Sequence, residues 1–424
     1  MAYDFTTEGA PKGSNSVKWD MIPEESGVAK TGTGPGDLLP MWVAEMDFPA
    51  APFIVEALHR RIDKGVFGYT LIPDSYYDRV IDWFSRRHGW NISRGEIIPI
   101  SGIVPATSVA IRALSMSGPL KPGAGISAAA DASGRRPKII MQTPAYNCFF
   151  SNIRNMGCEL SENRLVWDGE SRSYRIDWED FERRCADPDA KAFLLCNPHN
   201  PCGRLWSREE LTRLGEICLA HGIPVISDEI HCEIVNPAHP EGYTPFASIC
   251  EEFARNSISF VSPTKSFNIA GLQIANIISA NEEFRARIDR VINDWEHCDV
   301  NQLGIVALEA AYSRQGEEWL AQMNEVVAGN FELLKEALGR EFPDVRLPEL
   351  EATYLALPDF SALFPNTEKA GDMVAEQLLK DEKLRLSPGS IYGAPTCCRI
   401  NLSCPRATMK EAVKRLLHGL HKIS

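Results

Sequence analysis

Residues 192–231 read AFLLCNPHNPCGRLWSREELTRLGEICLAHGIPVISDEIH. Two short apolar runs, AFLLC at 192–196 and IPVIS at 223–227, flank an amphipathic segment at 207–221. Neither run alternates apolar with polar residues. Strands of a parallel sheet read this way, because helices cover both their faces. The stretch is therefore a strand, a helix and a strand. Each strand runs directly into a polar cluster, Asn197-Pro-His-Asn-Pro-Cys-Gly203 after the first and Asp228-Glu-Ile-His231 after the second.

The same pattern repeats outward. KIIMQ at 138–142 leads into Thr143-Pro-Ala-Tyr146, and SISFVS at 257–262 leads into Pro263-Thr264-Lys265. A further amphipathic segment spans 177–185. This alternation predicts a doubly wound, mostly parallel α/β domain. Open sheets of that kind bind ligands at the carboxyl ends of their strands, so four polar clusters there imply one shared site. From about residue 282 the pattern changes to long helical runs, at 283–297, 304–328 and 331–342. Strand-like patches at 353–357 and 398–402 and a last helix at 409–421 follow. These predict a smaller α+β domain. The expected division is 1–48, a segment packing with the small domain; 49–295, the large domain; and 296–424, the small domain. Residues 121–136, KPGAGISAAADASGRR, read as a surface loop.

The chain has 424 residues and a net charge of −13, which argues against nucleic-acid or anionic-membrane partners. No apolar stretch approaches a membrane span, and the first twenty residues lack a signal-peptide core. The twelve cysteines are scattered without a CxxC pair, so no metal site is expected and they read as buried fillers. The expected location is the cytoplasm.

Asp228 and Lys265 each follow an apolar strand. A carboxylate there is costly unless it meets a cation, and a lysine at an apolar rim can serve as nucleophile or base. A plain salt bridge between the two explains them equally well. Ser101-Gly-Ile-Val104 precedes a helical run at 106–114, and backbone amides at a helix start attract anions. Most such turns bind nothing.

Taken together, the motifs resemble a known family. Ser262-Pro-Thr-Lys-Ser-Phe-Asn-Ile-Ala-Gly271 resembles the cofactor-lysine signature of fold-type I aminotransferases, and Asn200-Pro-Cys-Gly203 resembles their Asn-Pro-Thr-Gly turn. The separations of Asn200, Asp228 and Lys265 are similar to the family's own. Pro40-Met-Trp-Val-Ala-Glu-Met-Asp-Phe48 and Ser227-Asp-Glu-Ile-His231 narrow the resemblance to the MalY/PatB-type cystathionine β-lyases, or C–S lyases. The resemblance runs from about Trp19 to the C-terminus.

It implies the pyridoxal-phosphate-dependent transferase fold, with a seven-stranded sheet and a small α+β domain, and pyridoxal 5′-phosphate as cofactor. Lys265 would carry the cofactor as a Schiff base and move the substrate's Cα proton. Asp228 would pair with the pyridine nitrogen, which keeps the ring an electron sink. Asn200 would bond the ring's phenolic oxygen and also face the substrate, and Tyr146 would stack on the ring. Ile103 and Val104 would give backbone amides to the phosphate, and Ser262 its hydroxyl. Tyr69 would reach the phosphate from a neighbouring subunit, which implies a homodimer with shared sites. Arg399 would clamp the substrate carboxylate in a bidentate fork, with the Trp42–Ala44 backbone alongside.

Two departures stand out. Gln273 occupies the position, eight after the lysine, where many aminotransferases have a phosphate-binding arginine. His231 occupies a position that is often tyrosine, where it could donate to the cofactor. Both suit the lyase branch. The implied reaction is α,β-elimination, in which an S-substituted L-cysteine such as cystathionine gives a thiol, pyruvate and ammonia. Three rivals remain at this stage. One is an aminotransferase. Another is a lyase for bulky cysteine conjugates, with 121–136 bordering its pocket. The third is a non-catalytic regulatory relative, against which stand Lys265, Asp228, Asn200 and Arg399.

Overall fold

The computed structural model describes residues 2–7, 9, 12–23, 38–115 and 134–424. Of the expected loop at 121–136, residues 121–133 lie outside the described residues.

Seven strands form one sheet: β1 (Ile97–Ile100), β2 (Lys138–Thr143), β3 (Glu159–Arg164), β4 (Ala190–Cys196), β5 (Val225–Asp228), β6 (Ser257–Val261) and β7 (Ala275–Ile278). Their spatial order is β1-β7-β6-β5-β4-β2-β3. Strands β2 to β6 are mutually parallel, and β7 is antiparallel to both its neighbours. The expected strands are present, each with its ends shifted by two residues or fewer.

Apolar residues run continuously along these strands because both faces are covered. Ile139, Met141, Leu194, Ile226 and Ile258 pack against α1 (Ile103–Ser115), α2 (Asn147–Asn155) and α5 (Glu282–Asp294). The alternate residues Ile140, Phe193, Leu195 and Val225 pack against α3 (Trp178–Cys185) and α4 (Arg208–Ala220). Each such side chain contributes about 1.5–3 kcal/mol when fully buried. Helix α4 starts where the sequence places it. Ser207 Oγ accepts from Glu210 N, and the Glu210 carboxylate accepts from Ser207 N, a reciprocal cap.

The C-terminal part differs from expectation in one place. Instead of helices over 304–328 and 331–342, the chain forms α6 (Gln302–Ala311) and α7 (Arg314–Glu341). The break falls at Ser313, whose hydroxyl caps α7 by accepting from Gly316 N. Gly316 packs so tightly that a Cβ there would stand 2.0 Å from the Ala311 carbonyl oxygen. Gly329-Asn330, read as the break, sits inside α7. The Asn330 amide is satisfied there by the carbonyls of Leu402 and Cys404. Three short strands, β8 (Leu355–Ala356), β9 (Ser387–Pro388) and β10 (Cys398–Asn401), form an antiparallel sheet with β10 in the middle. Helices α8 (Ala370–Glu382) and α9 (Arg406–Ile423) complete this part.

The N-terminal segment is bonded to it. Leu39–Pro40 pairs in parallel with Leu384–Arg385, and Asp47 N donates to Ser403 O. The short helix Val17–Asp20 is fixed by an ion pair with no exposed side-chain surface, Lys18 Nζ to Asp47 Oδ1 at 2.8 Å. Lys18 Nζ also donates to Glu45 O, and Trp19 Nε1 donates to Asp47 Oδ1. Removing one partner of a buried pair strands the other charge. Lys18→Met is expected to cost about 3 kcal/mol in urea unfolding. The double variant Lys18→Met/Asp47→Leu is expected to recover at least half of that loss; a double variant no better than the single one contradicts this account.

Candidate active site

The register of the parallel strands brings their polar ends to one level. Cys196 pairs opposite Asp228, and Asp228 opposite Phe260. Above those ends lies a cavity of about 670 Å³. Residues following β2, β4, β5 and β6 line it, together with the start of α1, the backbone of Trp42–Ala44 and Arg399 from β10.

Asp228 is 3% exposed, and its Oδ1 accepts one hydrogen bond, from Ile230 N at 3.1 Å. Burial pushes its carboxyl up to about 7. The neighbouring Glu229 points to the other face of the strand, where Tyr243, Phe246 N and Ser227 Oγ all donate to it. Two adjacent buried acids thus differ sharply: Glu229 is satisfied within the fold, whereas Asp228 has spare acceptor capacity facing the cavity.

Lys265 Nζ donates to Ala44 O at 2.7 Å. Among the described residues no ion pair within 4.0 Å joins Lys265 to Asp228, so the plain salt bridge is not what holds these two residues. Burial, with the Arg399 guanidinium acting in the same direction, pushes Lys265 down to about 8. The amine is therefore neutral far more often at physiological pH than an exposed lysine.

Arg399 is 4% exposed. Its Nη1 donates to Asn200 Oδ1 at 3.2 Å and its Nη2 to Trp42 O at 3.0 Å, while Nε has no partner. The Tyr392 ring lies 4.5 Å from the guanidinium carbon. Every partner here is neutral, and no carboxylate pairs with Arg399 among the described residues. A buried guanidinium left in this state is a site for an anion.

The remaining expected residues divide. Tyr146 lines the cavity and packs edge-on against Phe149. His231 lines it too, with its ring against Tyr354 and Nδ1 unpartnered. Burial, Lys265 and Arg399 together push His231 down to about 3, so its imidazole is neutral. Ile103 and Val104 open α1 at the cavity wall, where first-turn amides lack helical acceptors. Trp42 lines the cavity, its carbonyl accepts from Arg399, and the Arg385 guanidinium stacks on its ring at 3.6 Å. Ser262 stands one residue behind the cavity lining. Its hydroxyl donates to Ile274 O at 2.7 Å and meets Thr264 Oγ1 at 2.7 Å, and Thr264 is the residue that lines the wall. Tyr69 is fully exposed and lies outside the cavity of its own chain. Among the described residues no cluster of metal-ligating side chains occurs.

Sequence reasoning missed Thr264, His297 and Val17 as lining residues. Thr264 was within reach, since it stands next to Lys265. His297 and Val17 carry no local motif and arrive through the tertiary fold.

The cavity thus offers an anion clamp at Arg399, a free carboxylate at Asp228, a neutral-leaning amine at Lys265 and open amides at α1. The model of aminotransferase class I and II matches residues 38–416. The cystathionine beta-lyase PatB of Bacillus subtilis is 36% identical over 96% of this chain and 97% of its own length. Cystalysin from Treponema denticola, whose crystal structure contains a pyridoxal 5′-phosphate cofactor, superimposes with a TM-score of 0.88 at 31% identity, over the whole of both chains. The PLP-bound C–S lyase of Staphylococcus hominis gives a TM-score of 0.84 at 28% identity, over 99% of each chain. The chain therefore belongs to the class I and II aminotransferase family and, within it, to the branch of PatB-type cystathionine β-lyases.

Proposed function

We propose that this protein is a pyridoxal-phosphate-dependent C–S β-lyase that cleaves an S-substituted L-cysteine, such as cystathionine, to a thiol, pyruvate and ammonia. The observation that carries the reading is the one cavity lined by Lys265, by the buried Arg399 without an anionic partner and by the buried Asp228 with spare acceptor capacity. An α-amino acid and a protonated pyridine ring supply the missing counter-charges.

The residues fit the cofactor. The spare acceptor of Asp228 suits a ring N–H. The unpartnered Nδ1 of His231 and the cavity-lining side chain of Asn200 suit the ring's polar edge. Tyr146 offers an aromatic face. The amides of Ile103 and Val104, with the Thr264 hydroxyl, would hold the phosphate. When bound, pyridoxal phosphate supplies an electron sink for the charge that develops at the substrate's Cα.

The chain's own residues do the rest. The Arg399 guanidinium would bind the substrate carboxylate and fix the orientation of Cα. Trp42 O and Asn200 Oδ1 hold the guanidinium in place, so little reorganisation remains when the substrate arrives. Lys265 Nζ takes the proton from Cα. A pKa near 8 suits an amine that must accept a proton and give it up again near neutral pH. The same ammonium then protonates the departing sulfur. Trp42, Tyr392 and Ile391 add apolar surface to the cavity wall.

Three further points are part of the proposal. The protein works as a homodimer in which the exposed Tyr69 serves the partner's cavity; Val66, Phe67 and Leu71, exposed beside it, support this. Its location is cytoplasmic; twelve cysteines without a disulfide support this, and no helix among the described residues is long and apolar enough to cross a membrane. The structural parts are 1–48, 49–295 and 296–424; the bonding of residues 39–47 to Leu384, Arg385 and Ser403 supports grouping the first with the last.

Incubation with L-cystathionine, without any added keto acid, is expected to release pyruvate and a free thiol. A protein that releases neither pyruvate nor thiol, and instead converts an added keto acid to its amino acid, is an aminotransferase. Lys265→Ala should lower the elimination rate by at least about a thousandfold, the scale of losing a general base. Arg399→Ala should raise KM for the amino acid about a hundredfold, as expected for a buried charge-assisted clamp, and leave the bound-cofactor absorbance unchanged. A pH series on the apoenzyme tests the lysine itself. Its capture of the cofactor's aldehyde needs the neutral amine, so the rate should rise with pH and level off above about 8. A rise that continues to pH 10 contradicts the lowered value.

A further inference from the structure

The wall at the start of α1 lacks a strong cation. Of the described residues lining the cavity only Lys265 and Arg399 are lysine or arginine, and both have other tasks. Ala275 pairs opposite Ile100, which brings Gln273 alongside the Ser101–Val104 turn, and Gln273 is neutral. A phosphate ester on this wall depends on well-aimed neutral donors.

His297 supplies a means of aiming one. It lies just past α5, where its backbone N–H donates to Ile292 O at 3.0 Å. Its Nε2 stands 2.6 Å from Ser101 Oγ, and both residues line the cavity. An imidazole N–H that donates to this oxygen leaves the hydroxyl's own proton free. Among the described residues no other protein acceptor takes that proton, and Ser101 stands two residues before Ile103 and three before Val104, whose amides are open.

We infer that His297 is a positioning residue for the cofactor's phosphate, holding the Ser101 hydroxyl as a donor into the cavity. This rests on the reading of the cavity as a pyridoxal-phosphate site. His297 acts through Ser101, so removing either residue has the same effect, and removing both is no worse than removing one.

The test compares two ligands on the full-length apoenzyme. Pyridoxal phosphate and pyridoxal share the ring and the aldehyde and differ only in the phosphate. The ratio of their dissociation constants, read from absorbance titrations, isolates the phosphate wall. His297→Ala and Ser101→Ala are each expected to weaken pyridoxal phosphate about tenfold, the scale of one hydrogen bond to a charged group, and to leave pyridoxal unchanged. His297→Gln keeps an N–H for Ser101 and should stay within about threefold of wild type. Equal weakening of both ligands, as a merely structural role gives, overturns the inference. An unchanged ratio in either alanine variant does so too. Wild-type protein that takes up neither ligand overturns the cofactor reading itself, which keeps the two failures apart.

Discussion

Four consecutive backbone carbonyls, those of Trp42, Val43, Ala44 and Glu45, hold the molecule together at its site. Trp42 O accepts from Arg399 and Ser387, and Val43 O from Asn401. Ala44 O accepts from Lys265 and Tyr354, and Glu45 O from Lys18 and Asn401. The donors come from the N-terminal helix, the large sheet and the small sheet. One short segment therefore links Lys265, just past the end of β6, with Arg399, on β10. A shift of that segment moves both residues at once.

Electrostatics explains why these donors are side chains of consequence. The chain as a whole carries a net charge of −13, yet this cavity holds two buried cations and one spare carboxylate. Burial acts on all three in the direction of neutrality, lowering Lys265 and Arg399 and raising Asp228. Each group is less comfortable than it would be in water, and each becomes more so when an opposite charge arrives. The fold holds them in this state because neutral partners, the Asn200 amide, the Trp42 and Ala44 carbonyls and the Ile230 N–H, fix their positions without cancelling their charge.

How much of this was legible in the sequence follows from the range of the forces involved. Strand runs such as 192–196 and 223–227 announce themselves because two-sided burial removes polar alternation. Their polar ends announce the site because position in a parallel sheet fixes position in space. The break at Ser313 was missed because the decisive contact, Gly316 against the Ala311 carbonyl, is a matter of packing, whereas Gly329-Asn330 carries a local breaker that tertiary hydrogen bonds override. Ser262 was expected as a phosphate donor on the family resemblance, but its hydroxyl donates to Ile274 O, twelve residues on, a partner that only the fold brings near. His297 and Val17 reach the cavity only through the path of the chain. Arg399 could be placed by resemblance, although its lack of an anionic partner is visible only in three dimensions.

The Lys18–Asp47 pair has a consequence for handling the protein. The helix Val17–Asp20 it anchors puts Val17, 58% exposed, at the lip of the cavity. The opening to solvent is thus built partly from the first twenty residues. Affinity tags, fusion partners or trimming at that end alter the entrance through which amino acids pass, and belong among active-site modifications rather than conveniences of purification.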